Sequence, residues 1–146
     1  MEFIIGGCFQ GKSEFARRRY EKEKACILSE EEWFALAADG RRDTWEKAYT
    51  APVLEHLEAY IQRIAMEEGQ RDSLAEKKQR ILVWLEEVFA HNPQGMIVMD
   101  EVGCGVVPIQ KEEREYRDLA GFAGQFVAGR ADAVYRLLMG IEERIR

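Results

Sequence analysis

The sequence predicts an α/β fold in which a mostly parallel sheet carries helices on both faces. Three observations support this class. The chain has 146 residues, of which 47% are hydrophobic and 33% charged, which suits one domain with a core and a solvated surface. Short apolar runs alternate with amphipathic segments along the whole length. The runs are continuously apolar, as in strands covered on both faces. We therefore expect residues 1–146 to form a single domain.

The strands are predicted from short apolar runs bounded by turn residues. The opening run ends at two glycines, and the third follows the turn Asn92–Gly95. We interpret the last residues, Ile141–Arg146, as a charged tail. The predicted strands are Glu2–Ile5, Lys24–Leu28, Met96–Met99 and Ala133–Met139.

The helices are predicted from caps and from apolar residues at helical spacing. Ser29 and Glu32 form a capping box for a helix that ends near Gly40. Pro52 suits the first turn of a longer helix, whose apolar positions continue from Val53 to Ile64. The remaining predicted helices are Ser13–Lys22, Ser73–Ala90 and Lys111–Gly129.

Charge and composition exclude several classes of function. The formal net charge is -6 and the pI is near 5.1, so the chain lacks the concentrated basic surface of a general nucleic-acid binder. No apolar stretch is long enough to span a bilayer, and the N-terminus does not resemble a secretory signal. The 3 cysteines include no CxxC pair, which argues against a disulfide framework or a zinc site. We expect a cytoplasmic protein.

One motif carries specific chemistry. A GxxxxGK[ST] pattern lies between the first predicted strand and the following helix, which is the context of a phosphate-binding P-loop. Backbone amides of such a loop point at phosphates, the lysine reaches the β- and γ-phosphates, and the hydroxyl binds Mg²⁺. The alternative is a chance match in a glycine-containing turn. The predicted nucleotide-binding residues are Gly6, Gly7, Cys8, Phe9, Gln10, Gly11, Lys12 and Ser13, with Lys12 also catalytic.

A second signal is the strand that ends in two acids, Asp100 and Glu101. A carboxylate at the carboxyl end of a strand beside a phosphate loop can hold Mg²⁺, so Ser13 and Asp100 are the predicted metal ligands. Glu101 is predicted to assist the attacking group in catalysis. The alternative is a strand that ends in solvated acids. We interpret His56 as a surface histidine on an amphipathic helix.

These motifs resemble those of a known family, the CobU-type adenosylcobinamide kinase/adenosylcobinamide-phosphate guanylyltransferases. The phosphate loop resembles the family's GGxxSGKS, and Asp100–Pro108 resembles its NEVGxGIVP. Tyr116–Gly121 resembles FRDxxG, and Ala131–Ile141 resembles the ending ADEVxxxxxGI. The order and spacing of the signatures agree with the family over Met96–Ile145.

The resemblance implies a P-loop-type α/β fold, often a homotrimer, with GTP or ATP as the nucleotide and a corrinoid as the substrate. Such enzymes phosphorylate the aminopropanol hydroxyl of adenosylcobinamide, then transfer GMP to that phosphate through a guanylylated histidine. The counterpart of the histidine segment, Ala37–Trp45, contains no histidine. The family's strand ending in Asp-Cys-Leu-Thr, which carries its Walker B acid, is not recognised either.

We therefore expect an adenosylcobinamide kinase that has lost guanylyl transfer. The alternative is a regulatory relative that binds nucleotide or corrinoid without catalysis. A third hypothesis, an assembly partner without nucleotide binding, is disfavoured by the intact Gly11-Lys12-Ser13.

Overall fold

The computed structural model describes residues 1–20, 48–67 and 72–146. In these ranges five strands form one sheet in the order β2-β3-β1-β4-β5. The first four strands are mutually parallel, and β5 runs antiparallel to β4. The mostly parallel sheet predicted from sequence is therefore confirmed. The strands are β1 (Glu2–Gly6), β2 (Val53–Leu54), β3 (Met96–Asp100), β4 (Ala133–Leu138) and β5 (Ile141–Arg144).

Within the described ranges, four helices with defined bounds accompany the sheet: α1 (Lys12–Arg19), α2 (Leu57–Ala65), α3 (Leu74–His91) and α4 (Lys111–Arg130). Residues 48–50 are also helical. Helix α3 begins with a complete capping box between Ser73 and Glu76. The predicted strand Lys24–Leu28 and the predicted helix between Ser29 and Gly40 lie outside the described residues.

The sheet is covered on both faces, as its apolar sequence predicts. Neighbouring residues of each strand point to opposite faces. In β1, Phe3 packs into a core with α2, α3 and α4, whereas Ile4 packs with Phe15 and Ala16 of α1. Strand β3 divides in the same way, with Ile97 on the first face and Val98 on the second. This burial confirms the expected arrangement of helices around the sheet.

The helix predicted to open at Ala51-Pro52 is wrong in its first part. Val53 and Leu54 form β2, paired with Met96 and Ile97 of β3, and α2 begins only at Leu57. The residue before a proline is biased toward extended backbone, and both β2 side chains are buried, one on each face. The helical spacing was therefore misleading at Val53 and Leu54 and correct from Leu57 onward.

The predicted charged tail is also wrong, because Ile141–Arg144 forms the edge strand β5. All its residues are exposed, and it pairs with β4 from Leu138↔Ile141 to Tyr135↔Arg144. Backbone pairing with β4 holds this strand, so its side chains carry no pattern of alternate burial.

The topology places the loop after β1 at the middle of the sheet's carboxyl edge, between β3 and β4. Ligands of parallel α/β sheets bind at this edge. None of the helices in the described ranges combines the length and the hydropathy of a membrane span.

Candidate functional site

The loop after β1 curls tightly, and its glycines explain how. Residues 8–11 form turns and bends, and Gly11 has the left-handed φ of 86°. A Cβ at Gly11 would lie 3.3 Å from the Cα of Gly140. A Cβ at Gly6 would lie 2.6 Å from the carbonyl oxygen of Leu137. Close packing against β4 therefore requires glycine at position 6, and the left-handed backbone requires it at position 11.

Lys12 lies at the start of α1 and is only 8% exposed. Its Nζ donates to the carbonyl of Gly7 at 2.7 Å and pairs with Oδ1 of Asp100 at 2.6 Å. The ammonium is thus folded back over the loop, beside the end of β3. The structure brings together Lys12 and Asp100, two of the residues predicted from sequence.

The second oxygen of Asp100 accepts a hydrogen bond from Sγ of Cys8 at 2.7 Å. That bond, together with partial burial, raises the pKa of the Cys8 thiol. A thiol held protonated is a poor nucleophile.

Glu55, which was not predicted as a site residue, is the partner of Ser13. The Ser13 hydroxyl donates to Oε2 of Glu55 at 3.0 Å, and Glu55 is only 3% exposed. Glu55 directly follows β2, at the carboxyl end of the strand next to β3. The predicted helix was started too early, at Ala51-Pro52, and this concealed Glu55. An acid that directly follows a short apolar run after Pro52 was the available signal.

His56 and Glu58 follow Glu55 in the chain and lie at the start of α2. His56 has a left-handed φ of 61°, and its Nδ1 lies 3.1 Å from Oε1 of Glu58. The other oxygen of Glu58 accepts from the backbone N–H of Asp100 at 2.9 Å. The hydrogen bond to Glu58 raises the pKa of His56. His56 is half-exposed, but it faces a cavity, which the interpretation as a surface histidine did not anticipate.

A cavity of about 350 Å³ lies between the phosphate loop and α2. A neighbouring cavity of about 360 Å³ shares Gln62 with it and lies toward the loop after β3. The first cavity is lined by Cys8, Phe9, Lys12, Glu55, His56, Glu58, Ala59, Gln62, Val98, Met99 and Asp100.

Glu101, predicted to be catalytic, lies outside the lining of that cavity. Its carboxylate forms an ion pair with Arg136 at 2.9 Å, and its side chain lines a separate cleft beside α4. The structure therefore pairs the Glu101 side chain with Arg136 and does not place it with Lys12 in the lining of the cavity.

The oxygen donors near the loop belong to residues of different types. Within the described ranges, no three His, Cys, Asp or Glu side chains are grouped to hold a metal by themselves. Ser13 and the carboxylates of Glu55 and Asp100 offer the hard oxygen donors that Mg²⁺ binds together with phosphate oxygens.

Comparison with known proteins identifies the family. The family model for CobU, cobinamide kinase / cobinamide phosphate guanyltransferase, matches residues 30–145. The bifunctional adenosylcobalamin biosynthesis protein CobU of Salmonella typhimurium is 39% identical over 51 residues. That alignment spans 35% of this chain and 28% of the Salmonella protein. The family match includes β2, β3, α4 and β4 but begins after the phosphate loop. Over most of its length, therefore, the chain belongs to the CobU family of cobinamide kinases / cobinamide phosphate guanyltransferases.

Proposed function

We propose that this protein is a nucleotide-dependent kinase that phosphorylates adenosylcobinamide, using GTP or ATP with Mg²⁺. Family membership supports a role in cobalamin biosynthesis. The observation that carries the kinase proposal is the buried Lys12 ammonium over the curled loop, beside the bonded Ser13–Glu55 pair. Phosphoryl transfer depends on positioning and charge neutralisation, which these groups are suited to provide.

The phosphates are proposed to lie in the loop from Gly6 to Ser13, at the N-terminus of α1. The helix terminus and the loop amides favour an anion there. Lys12 would exchange its present partner, Asp100, for the β- and γ-phosphates. In the transition state its ammonium would stabilise the negative charge on the transferred phosphoryl group.

Mg²⁺ fits the donor chemistry of the site. Ser13 and Glu55 are the residues we propose to hold it, with the predicted Asp100 as a further carboxylate. When bound, the ion would neutralise charge on the phosphate oxygens. The contact between Ser13 and Glu55 already places a hydroxyl and a carboxylate side by side.

The cavity beside the loop is the proposed site of the acceptor hydroxyl. It adjoins Lys12, so an acceptor in it would face the end of the phosphate chain. His56 and Glu58 are placed to contact that acceptor. Assistance from Glu101, as predicted from sequence, would require it to leave Arg136.

Guanylyl transfer is proposed to be absent. The segment Ala37–Trp45, which matches the family's histidine-bearing stretch, contains no histidine and lies outside the described residues. Without an imidazole at that place, no phosphoramidate intermediate forms there. A homo-oligomer, a trimer by the family resemblance, likewise remains a proposal.

The second candidate function is a regulatory relative that binds nucleotide or corrinoid without turnover. The ion pair between Lys12 and Asp100 favours it, because the Lys12 ammonium that would bind a phosphate is already paired with a carboxylate.

Turnover separates the two candidates. The protein is incubated with adenosylcobinamide, Mg²⁺ and GTP or ATP, and the corrinoid product is measured by mass spectrometry. We expect a mass gain of one phosphate, abolished by Lys12→Ala and retained by Lys111→Ala, a matched change at an exposed lysine. A folded protein that binds nucleotide calorimetrically but yields no phosphorylated corrinoid would favour the regulatory function.

A further inference from the structure

The turn between β4 and β5 is tight and strained. Strand β4 ends at Leu138 and β5 begins at Ile141, so only Met139 and Gly140 connect them. Both have positive φ, 51° for Met139 and 77° for Gly140. Two-residue hairpin turns of this kind favour Asn or Gly at such positions, because a side chain in the left-handed region is strained. A methionine there is therefore not explained by turn geometry.

The same turn is fixed against the phosphate loop. The backbone N–H of Gly140 donates to the carbonyl of Gln10 at 3.0 Å. The backbone N–H of Met139 donates to the side-chain oxygen of Gln10. On the other side of the turn, Gly11 approaches Gly140 so closely that a Cβ would lie 3.3 Å from its Cα. These contacts hold the turn in a set position relative to the proposed phosphate site.

Three large apolar side chains surround this turn and face solvent. Leu138 is 60% exposed, Met139 81% and Ile141 72%. Leu138 and Ile141 are register partners in the hairpin, so their side chains lie on the same face of the sheet. Adjoining exposed apolar side chains of this kind mark a contact surface. We call Leu138, Met139 and Ile141 the apolar shelf.

We propose that the apolar shelf receives the nucleobase of the nucleotide whose phosphates the loop holds. This inference rests on the proposed function. In the sheet order β2-β3-β1-β4-β5, the acids Glu55 and Asp100 follow β2 and end β3, on one side of the loop. The shelf lies on the other side, at the end of β4. The terminal phosphate would therefore point toward the acids and the acceptor cavity, and the nucleoside toward the shelf.

The chemistry of the shelf also defines what it recognises. A nucleobase is planar with two apolar faces, and aliphatic side chains contact such a face without reading its edge. The shelf therefore stabilises adenine and guanine alike and leaves the choice between ATP and GTP to other contacts.

The test compares nucleotides with inorganic tripolyphosphate, which has the phosphates but no base. Dissociation constants for ATP, GTP and tripolyphosphate are measured by calorimetry on the full chain. Met139→Asn suits the left-handed backbone, and Ile141→Thr keeps a β-branched residue in the strand. We expect each to weaken ATP and GTP about tenfold, or about 1.4 kcal/mol, and to leave tripolyphosphate unchanged. Ile145→Thr, beyond β5 at the far end of the hairpin, is the matched control and should change none of the three.

The outcomes separate this inference from the proposed function. If neither nucleotide nor tripolyphosphate binds the unchanged protein, both fall. If both bind but the variants leave the ratio of their affinities unchanged, the shelf does not contact the base and only this inference is overturned. Equal weakening of tripolyphosphate would mean that the turn acts by positioning the loop, which also overturns it. A change in sedimentation with no change in nucleotide affinity would assign the shelf to self-association instead.

Discussion

Replacing Gly6 by alanine tests whether the loop is built as the structure describes. The added Cβ would lie 2.6 Å from the carbonyl oxygen of Leu137, well inside the 3.4 Å at which ordinary van der Waals contact begins. That oxygen belongs to β4, which is paired with β1 at this register, so it cannot move without disturbing the ladder. Overpacking of this kind costs about 1–3 kcal/mol. For a chain of this size that corresponds to a melting temperature lower by roughly 2–12 °C.

The control is the neighbouring glycine. A Cβ at Gly7 would meet only the Cγ of Gln10 at 3.5 Å, an ordinary contact with a flexible side chain. Gly7→Ala should therefore stay within about 0.5 kcal/mol of the unchanged protein. Chemical denaturation of both variants, followed by circular dichroism, measures the difference. Equal unfolding midpoints for Gly6→Ala and Gly7→Ala would refute the close approach of β1 and β4.

Glu55→Gln is expected to remove the Mg²⁺ dependence of nucleotide affinity, because the amide beside Ser13 brings no negative charge to the cation. Nucleotide affinity measured by calorimetry with and without Mg²⁺ checks this, and an unchanged Mg²⁺ dependence would contradict it. Ser73→Ala should lower the free energy of unfolding by about 1 kcal/mol through loss of the α3 capping box, measured by thermal unfolding. Glu115→Gln should cost about 1–3 kcal/mol at neutral pH, since the buried Lys77 ammonium loses its charged partner. Burial raises the pKa of Glu115, but hydrogen bonds from Lys77 and Lys111 outweigh this effect and lower the pKa overall. The stabilisation is therefore present above the ordinary carboxyl pKa and lost as pH falls below roughly 4.5, where the two unfolding curves should converge.

Several elements were predictable because their signals are local. The phosphate loop combines glycines, a lysine and a hydroxyl within eight consecutive residues, Gly6–Ser13. Helix α3 carries its own capping box and apolar stripe. Strand β3 is a continuous apolar run, as its burial on both faces requires.

The elements that were missed lack such signals. Strand β2 has only two residues, and the spacing of Val53 and Leu54 to later apolar residues also fits a helix. Strand β5 exposes every side chain, so no hydrophobic pattern distinguishes it from a tail. Each exists because a neighbouring strand offers backbone partners.

The sequence by itself determined the class of fold, the phosphate-loop motif and the resemblance to a cobinamide kinase family. Only the tertiary structure decided which acid accompanies Ser13, since Glu55 meets it from 42 positions away. The same holds for Asp100, 92 positions from its partner Cys8. These pairs depend on the order of strands in the sheet. That order is set by long-range packing and backbone pairing, which no local pattern of residues encodes.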